Sequence, residues 1–175
     1  MKILFLTLGF VAVLFQSAVA KSNVTVDSVI KSSFTNVSKI EAKQLILTKK
    51  QFAQIQKRAK AAVTTKIYRY YTIKSGSKNL GYGVLISKKV RTKKATVLYV
   101  FDHSGKLKFT EIMAFAEPPE FIPGKTWMGQ LQNQKSTAKL TVGKDIPTIS
   151  GSTLSANTLT TGARVARAIY EIVLK

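Results

Sequence analysis

The 175-residue chain has no cysteine, one histidine and only eight acidic residues. The absence of cysteine excludes disulfides, thiolate metal sites, iron–sulfur clusters, cysteine-attached haem and a lipoprotein anchor. The single histidine, His103, excludes a histidine-rich metal site. It lies in a predicted hairpin turn, where we expect a solvent-exposed side chain.

The common catalytic and nucleotide-binding motifs are also missing. Neither Gly-x-Gly-x-x-Gly nor a P-loop occurs, and no Gly-x-Ser-x-Gly elbow accompanies His103. A hydrolase that used Ser150 or Thr153 as its nucleophile would lack a nearby base.

Basic residues dominate the charge: 28 Lys and Arg against 8 Asp and Glu give a formal net charge of +20 at pH 7. They are densest at residues 57–60 and 88–94. Because no helix-turn-helix, zinc finger or aromatic RNA-binding motif accompanies them, we do not expect a nucleic-acid partner. An anionic membrane surface of the cell envelope, an acidic protein or an anionic cofactor fits better. The alternative is a solvated basic surface that aids solubility.

Residues 1–20 are typical of a cleaved signal peptide. Lys2 supplies a positive start, residues 3–15 are apolar and uncharged, and residues 16–20 end in Ala-x-Ala, which signal peptidase accepts. The apolar run is shorter than the about 20 residues of a spanning helix, so an uncleaved anchor is the weaker alternative. We expect an exported protein of the periplasm or cell envelope, with one domain over residues 21–175.

The hydrophobic pattern predicts an α+β fold, an antiparallel β-sheet flanked by helices. Residues 21–45 are expected to form a lead-in arm or strand. A capping box of Thr48 with Gln51 predicts a helix over residues 48–62. The remaining predictions are strands at 67–73, 80–86, 95–101 and 107–115, turns at 75–79 and 102–105, a proline-rich loop at 116–124, and helices at 126–131 and about 155–173.

The last predicted helix has an apolar face and follows a hydroxyl-rich loop. Leu159, Ala163, Ala166, Tyr170 and Val173 are predicted to line that face, with Arg164, Arg167 and Glu171 off it. The loop, residues 145–157, gathers free backbone N–H groups at the positive end of the helix dipole, which suits a phosphate. Simple capping of the helix by Ser and Thr is the other interpretation.

Residues 150–155 read Ser-Gly-Ser-Thr-Leu-Ser. They resemble the Ser-Gly-Ala-Thr-x-Ser motif of the FMN-binding domain family, which includes the covalent-flavin subunits of sodium-translocating NADH:quinone reductase and of Rnf complexes. Further blocks are similar to the family's and occur in its order, and the resemblance covers roughly residues 45–175. These blocks are residues 80–83, the turn at 102–105 with the strand at 107–115, residues 117–121 with Trp127 and Gln130, and residues 159–164.

The resemblance implies a covalent cofactor. In that family a Mg-dependent flavin transferase takes FMN from FAD and esterifies its phosphate to the motif threonine. Carried over residue by residue, this implies Thr153 as the attachment point and Gly151 as the residue that permits the tight turn. Ser150, Ser152 and Ser155 would line the phosphate.

The resemblance also implies a single FMN-binding-type domain that works as an exported electron carrier. It would be an electron-transfer module, at most an oxidoreductase component, and not a stand-alone catalyst. Its expected redox partners are cytochromes or a membrane electron-transfer complex. Glu117 is expected to hydrogen-bond the flavin or ribityl chain, or else to be a solvent-exposed loop acid. The expected ring contacts, each otherwise plain core, are Tyr82, Phe115, Phe121 and Trp127.

Two positions depart from the family pattern. Ser152 replaces the usual Ala, and Pro147 stands where an acid usually precedes the motif by three residues. Asp145 lies two residues before Pro147. A non-redox, basic envelope-binding protein that keeps the fold without covalent flavin is therefore the alternative function.

Overall fold

Five antiparallel strands form one sheet in the computed structural model, which describes residues 25–175. The predicted signal peptide lies outside the described residues. The strands follow one another in the sheet as they do in the chain, so each pairs with its neighbours in sequence. They are β1 (Lys39–Ile46), β2 (Ile67–Ser75), β3 (Lys78–Lys89), β4 (Lys94–Asp102) and β5 (Leu107–Phe115). The predicted α+β class and the four predicted strands are confirmed.

Four α-helices and several shorter helical turns accompany the sheet. No helix within residues 25–175 is both long enough and apolar enough to cross a membrane. The α-helices are α1 (Val26–Ser33), α2 (Lys49–Ala59), α3 (Lys125–Met128) and α4 (Thr153–Ile169), and α4 continues as a π-helical turn, Tyr170–Leu174. Two 3-10 turns are Pro119–Phe121 and Gly129–Leu131.

The predicted capping box at the start of α2 is confirmed. The Thr48 hydroxyl accepts from the Gln51 N–H at 3.2 Å, and the Gln51 side-chain carbonyl accepts from the Thr48 N–H at 3.0 Å. This pair satisfies two of the N–H groups that a helix start leaves free. The helix ends at Ala59, earlier than the predicted 62, because Lys60 takes the left-handed conformation with φ +48°.

Residues 21–45, the expected arm or strand, contain a helix as well as a strand. Thr25 caps α1, and the fully buried Ile30 packs it against one face of the sheet. Valine and serine have weak helix propensity, so the sequence alone gives little sign of α1. Packing on the sheet stabilises it, as it does most short helices.

The opposite face of the sheet carries the larger core. Successive strand residues point to opposite faces, so Tyr99 and Phe101 of β4 face α4 while Leu98 and Val100 face α1. The larger core includes residues of both α2 and α4. The sheet is therefore the middle layer, with α1 on one side and α2 and α4 on the other.

Helix α4 approaches the sheet closely at Gly162. The buried Tyr99 hydroxyl donates to the Leu159 carbonyl at 2.8 Å, and a Cβ at position 162 would lie 3.0 Å from Cζ of the Tyr99 ring. Only a residue without a side chain allows this separation. The contact fixes how α4 lies across the sheet.

Two arginines of α4 hold the connection between the last 3-10 turn and α4. Arg164 donates to the Leu140 carbonyl at 2.8 Å, and Arg167 donates to the carbonyls of Ala138 and Lys135. Arg167, predicted only to lie off the apolar face, is buried. The spacing of apolar residues along α4 does not predict this burial, because it gives no information on how the preceding connection folds over that side of the helix.

We predict that Gly162→Ala lowers the free energy of unfolding by about 1–3 kcal/mol, because the added methyl group displaces the Tyr99 ring. The loss is expected even though alanine favours a helix over glycine by about 1 kcal/mol. Urea denaturation measures it, with Asn157→Ala at an exposed position of α4 as the control. Equal stability of Gly162→Ala and the parent would contradict the close approach.

Candidate functional site

A cavity of about 320 Å³ opens at the N terminus of α4. Its volume lies at the lower end of the range for small-molecule sites. The loop between β3 and β4 contributes one wall, and the 3-10 turn after β5 contributes another. The lining residues are Arg91, Phe121, Gly151, Ser152, Thr153, Leu154 and Ser155.

Gly151 and Ser152 shape the start of α4. Gly151 has φ +76°, a conformation that favours glycine, and a Cβ there would meet no atom within 4 Å. Glycine is therefore required at this position by the backbone conformation and not by a lack of space for a side chain. Ser152 is the N-cap and is buried, yet its side chain makes no capping hydrogen bond. Its hydroxyl thus leaves the N–H groups of the first turn without a cap.

The other motif hydroxyls differ in their exposure. Thr153 is exposed and lines the cavity, and its hydroxyl donates to the Ile149 carbonyl at 2.9 Å. Ser155 is buried and also lines the cavity. Ser150 is exposed and lies outside the lining. Four of the five predicted motif residues therefore surround one space.

Arg91 brings a positive charge to this cavity. Its guanidinium lies over the Phe121 ring, 4.4 Å from the ring centroid, in a cation–π arrangement. The sequence identifies Arg91 only as one member of a basic group. Its place opposite the start of α4 depends on how the loop between β3 and β4 folds.

Glu117 shapes that loop. Its Oε1 accepts the backbone N–H groups of Arg91, Thr92 and Lys93 at 2.9, 2.6 and 2.7 Å. The Lys93 N–H above all, with those of Thr92 and Arg91, lowers the pKa of Glu117 from 4.5 to about 2. Glu117 is buried and is not among the residues that line the cavity, so it is not the solvent-exposed loop acid that was the alternative expectation. The contacts give it a positioning role toward Arg91.

Trp127 holds the segment that leads into the motif. The indole Nε1 donates to the Pro147 carbonyl at 2.8 Å, and the ring is buried in the larger core. The Asp145 carboxylate accepts the N–H groups of Leu140 and Thr141 at 2.5 and 2.7 Å. Both carboxylate oxygens of Asp145 therefore accept from the preceding backbone. The position at which the resemblance would call for an acid is occupied by Pro147.

Besides the buried Trp127, two of the aromatic residues proposed as ring contacts lie outside this cavity. Tyr82 packs edge-on against Tyr170, with ring centroids 5.9 Å apart, beyond the C-terminal end of α4. Because α4 has 17 residues, that contact lies about 25 Å along the helix from Thr153. Phe115 lines a separate, mainly apolar groove of about 750 Å³ beside β5. Of the four aromatics, only Phe121 lines the cavity at α4.

The arrangement can hold an anion. The cavity is bordered by the uncapped N–H groups of α4, by the positive end of the helix dipole and by the Arg91 guanidinium. All three favour a phosphate. Among residues 25–175, no group of three or more His, Asp or Glu side chains is placed to bind a metal ion.

No model of a known protein family matches the chain, and no curated protein matches it either. Membership of the FMN-binding domain family therefore stays a prediction from the motif and the order of the blocks.

We predict that Glu117→Gln destabilises the protein in a pH-dependent way. Because the folded-state pKa is lowered, the carboxylate stabilises the fold above about pH 4.5 and this contribution is lost as pH falls toward 2. Urea denaturation should show a clear difference from the parent at pH 7 and a smaller one at pH 3. Glu120→Gln, an exposed neighbour of equal charge, is the control. A difference that stays constant with pH would refute the assignment.

Proposed function

We propose that this protein is an exported electron carrier with FMN esterified through its phosphate to Thr153. The observation that carries the proposal is the cavity at the start of α4. There an exposed threonine hydroxyl, an N terminus without a cap from Ser152 and the Arg91 guanidinium share one space. The motif resemblance supplies the chemical identity of the phosphate compound.

The residues present fit a phosphate ester. Backbone N–H groups of the first turn of α4 supply hydrogen bonds, and the helix dipole favours negative charge at this end. Arg91 adds a planar guanidinium that matches phosphate oxygens in two-pronged geometry. Ser152 and Ser155 add hydroxyl groups in the same lining. Thr153 supplies the oxygen through which the phosphate would be attached.

The protein and the cofactor have separate tasks in this proposal. FMN, when bound, supplies one- and two-electron redox chemistry, and the protein supplies attachment, orientation and electrostatics. Phe121, with Arg91 stacked on it, forms an aromatic wall beside the attachment point. Glu117 and Trp127 keep the two loops of the site in place. A covalent tether retains the cofactor where a free flavin would diffuse away.

The partners in this proposal follow from chemistry and charge. A Mg-dependent flavin transferase would form the bond between the Thr153 Oγ1 and the FMN phosphorus of FAD, break the pyrophosphate bond of FAD, release AMP and pass the hydroxyl proton to solvent. The formal net charge of +20 would steer acidic redox proteins, such as cytochromes or subunits of a membrane electron-transfer complex, toward the carrier.

The competing function is a basic envelope-binding protein without covalent flavin. One observation favours it: Asp145 is engaged with the backbone N–H groups of Leu140 and Thr141, and Pro147 occupies the position of the usual acid. If the transferase needs that acid, the chain stays unmodified.

We predict that Thr153→Ala abolishes covalent flavin. The chain is co-expressed with a flavin transferase, and intact mass and visible absorbance are measured. The parent should gain the mass of one FMN ester, mapped to the peptide that contains Thr153. Thr64→Ala, at an exposed position away from the cavity, should be modified like the parent. An unmodified, colourless parent beside a flavinylated control domain would instead support the envelope-binding function.

Arg91→Gln should reduce the flavinylated fraction, because it removes the guanidinium from the cavity. Lys93→Gln removes the same charge from the same loop at an exposed position outside the lining, and is the matched control. Equal modification of both variants and the parent would remove Arg91 from the site.

A further inference from the structure

The large hydrophobic side chains that the described structure leaves exposed gather at one end of the sheet. This end, called here the site end, is where β1, β3 and β5 finish and where β2 and β4 begin. The four side chains are Ile46, Ile67, Leu154 and Ile122, with exposed fractions of 67, 55, 51 and 40%.

The topology brings these four residues to the same end from separate parts of the chain. Ile46 ends β1 and is the cross-strand partner of Ile67, the first residue of β2. Leu154 lines the same cavity as Arg91, which follows β3. Ile122 shares the apolar groove with Phe115, the last residue of β5. With strands about 4.8 Å apart, the five strands span about 20 Å.

Positive charge surrounds these apolar side chains. The exposed basic residues beside the strand ends at the site end are Lys66, Lys89, Arg91, Lys93 and Lys94. Lys89 and Lys94 are cross-strand partners at the site end, and both are exposed. The salt bridges found within residues 25–175 use only the carboxylates of Glu41 and Glu171, so neither lysine has an acidic partner there.

Acidic groups do little to offset this charge. Glu117 and Glu120 also lie in the loop at the site end. Glu117 is buried and accepts backbone N–H groups, so Glu120 is the one exposed carboxylate of this loop, against four exposed basic side chains at residues 89–94. The surface therefore combines single apolar side chains with unpaired lysines. This combination suits a binding partner with an anionic surface and an apolar interior.

We propose that the site end docks on an anionic lipid bilayer. Ile46, Ile67 and Leu154 would enter the boundary between headgroups and acyl chains, and the lysines would contact lipid phosphates. A bilayer accepts separate apolar side chains without a matching shape, whereas a protein partner needs a complementary surface. Docking in this orientation would turn the Thr153 cavity toward the membrane. The docking itself does not require a bound flavin.

Vesicle co-sedimentation of the full chain tests the electrostatic part. Vesicles of phosphatidylcholine with phosphatidylglycerol are compared with pure phosphatidylcholine, which corrects for any binding through the apolar run at residues 3–15. The parent should bind the anionic vesicles better, and less so as salt rises. Lys89→Gln with Lys94→Gln should weaken binding on the order of thirtyfold at low salt.

The matched control removes equal charge from the opposite end. Lys78→Gln with Lys106→Gln changes the two hairpins β2–β3 and β4–β5, and should bind like the parent. Equal weakening by both pairs would show that only net charge matters and would overturn the proposal.

The apolar part is tested with a site-specific dye. Because the chain has no cysteine, Ile67→Cys and Lys78→Cys each give one labelling position for an environment-sensitive fluorophore. Anionic vesicles should shift the emission at position 67 to the blue and leave position 78 unchanged. Soluble polyglutamate should shift neither.

Two results with the dye would overturn the proposal. Equal shifts at positions 67 and 78 would show no preferred orientation. A shift at position 67 with polyglutamate but not with vesicles would show an acidic protein partner. Circular dichroism of each variant confirms that the fold is intact.

Discussion

The close contact between Gly162 of α4 and the Tyr99 ring of β4 is the constraint on which the candidate site depends. The Tyr99 hydroxyl also donates to the Leu159 carbonyl, so the helix is held to the sheet near its middle. One end of α4 then meets the loop that carries Arg91. At the other end, the Tyr170 hydroxyl donates to the His103 carbonyl in the β4–β5 turn at 3.0 Å.

The sequence predicts those parts of the fold that depend on local signals. Alternating residues, the turn around Gly76 and the Thr48–Gln51 capping box identify β2 to β5 and the start of α2, because each signal acts within a few residues. Helix α1 is not predicted, because its residues have weak helix propensity and its stability comes from packing on the sheet. The burial of Arg167 is not predicted for a similar reason, since the carbonyls that accept from it lie 29 and 32 residues away in the sequence.

The candidate site was predictable only along one segment of chain. Residues 151–155 line one cavity as the motif suggests, since a loop and the first turn of its helix are adjacent in sequence. Arg91 comes from a lysine-rich loop in which nothing local distinguishes it. Its position depends on Glu117, 26 residues away. Tyr82 illustrates a second limit, because its place beside Tyr170, at the opposite end of the sheet from this cavity, depends on strand register and helix packing that local sequence does not show.

The position of α4 after all five strands in chain order has a consequence for biosynthesis. The sheet is a meander whose strands pair only with neighbours in sequence, and such local contacts form readily. The apolar face that α4 covers stays exposed until α4 has been added. A chain that stops before α4 would therefore present Val97, Tyr99 and Phe101 to the solvent and be prone to aggregate. The Thr153 cavity likewise cannot form before α4 has been synthesised, so any modification that recognises the folded site must follow synthesis of α4.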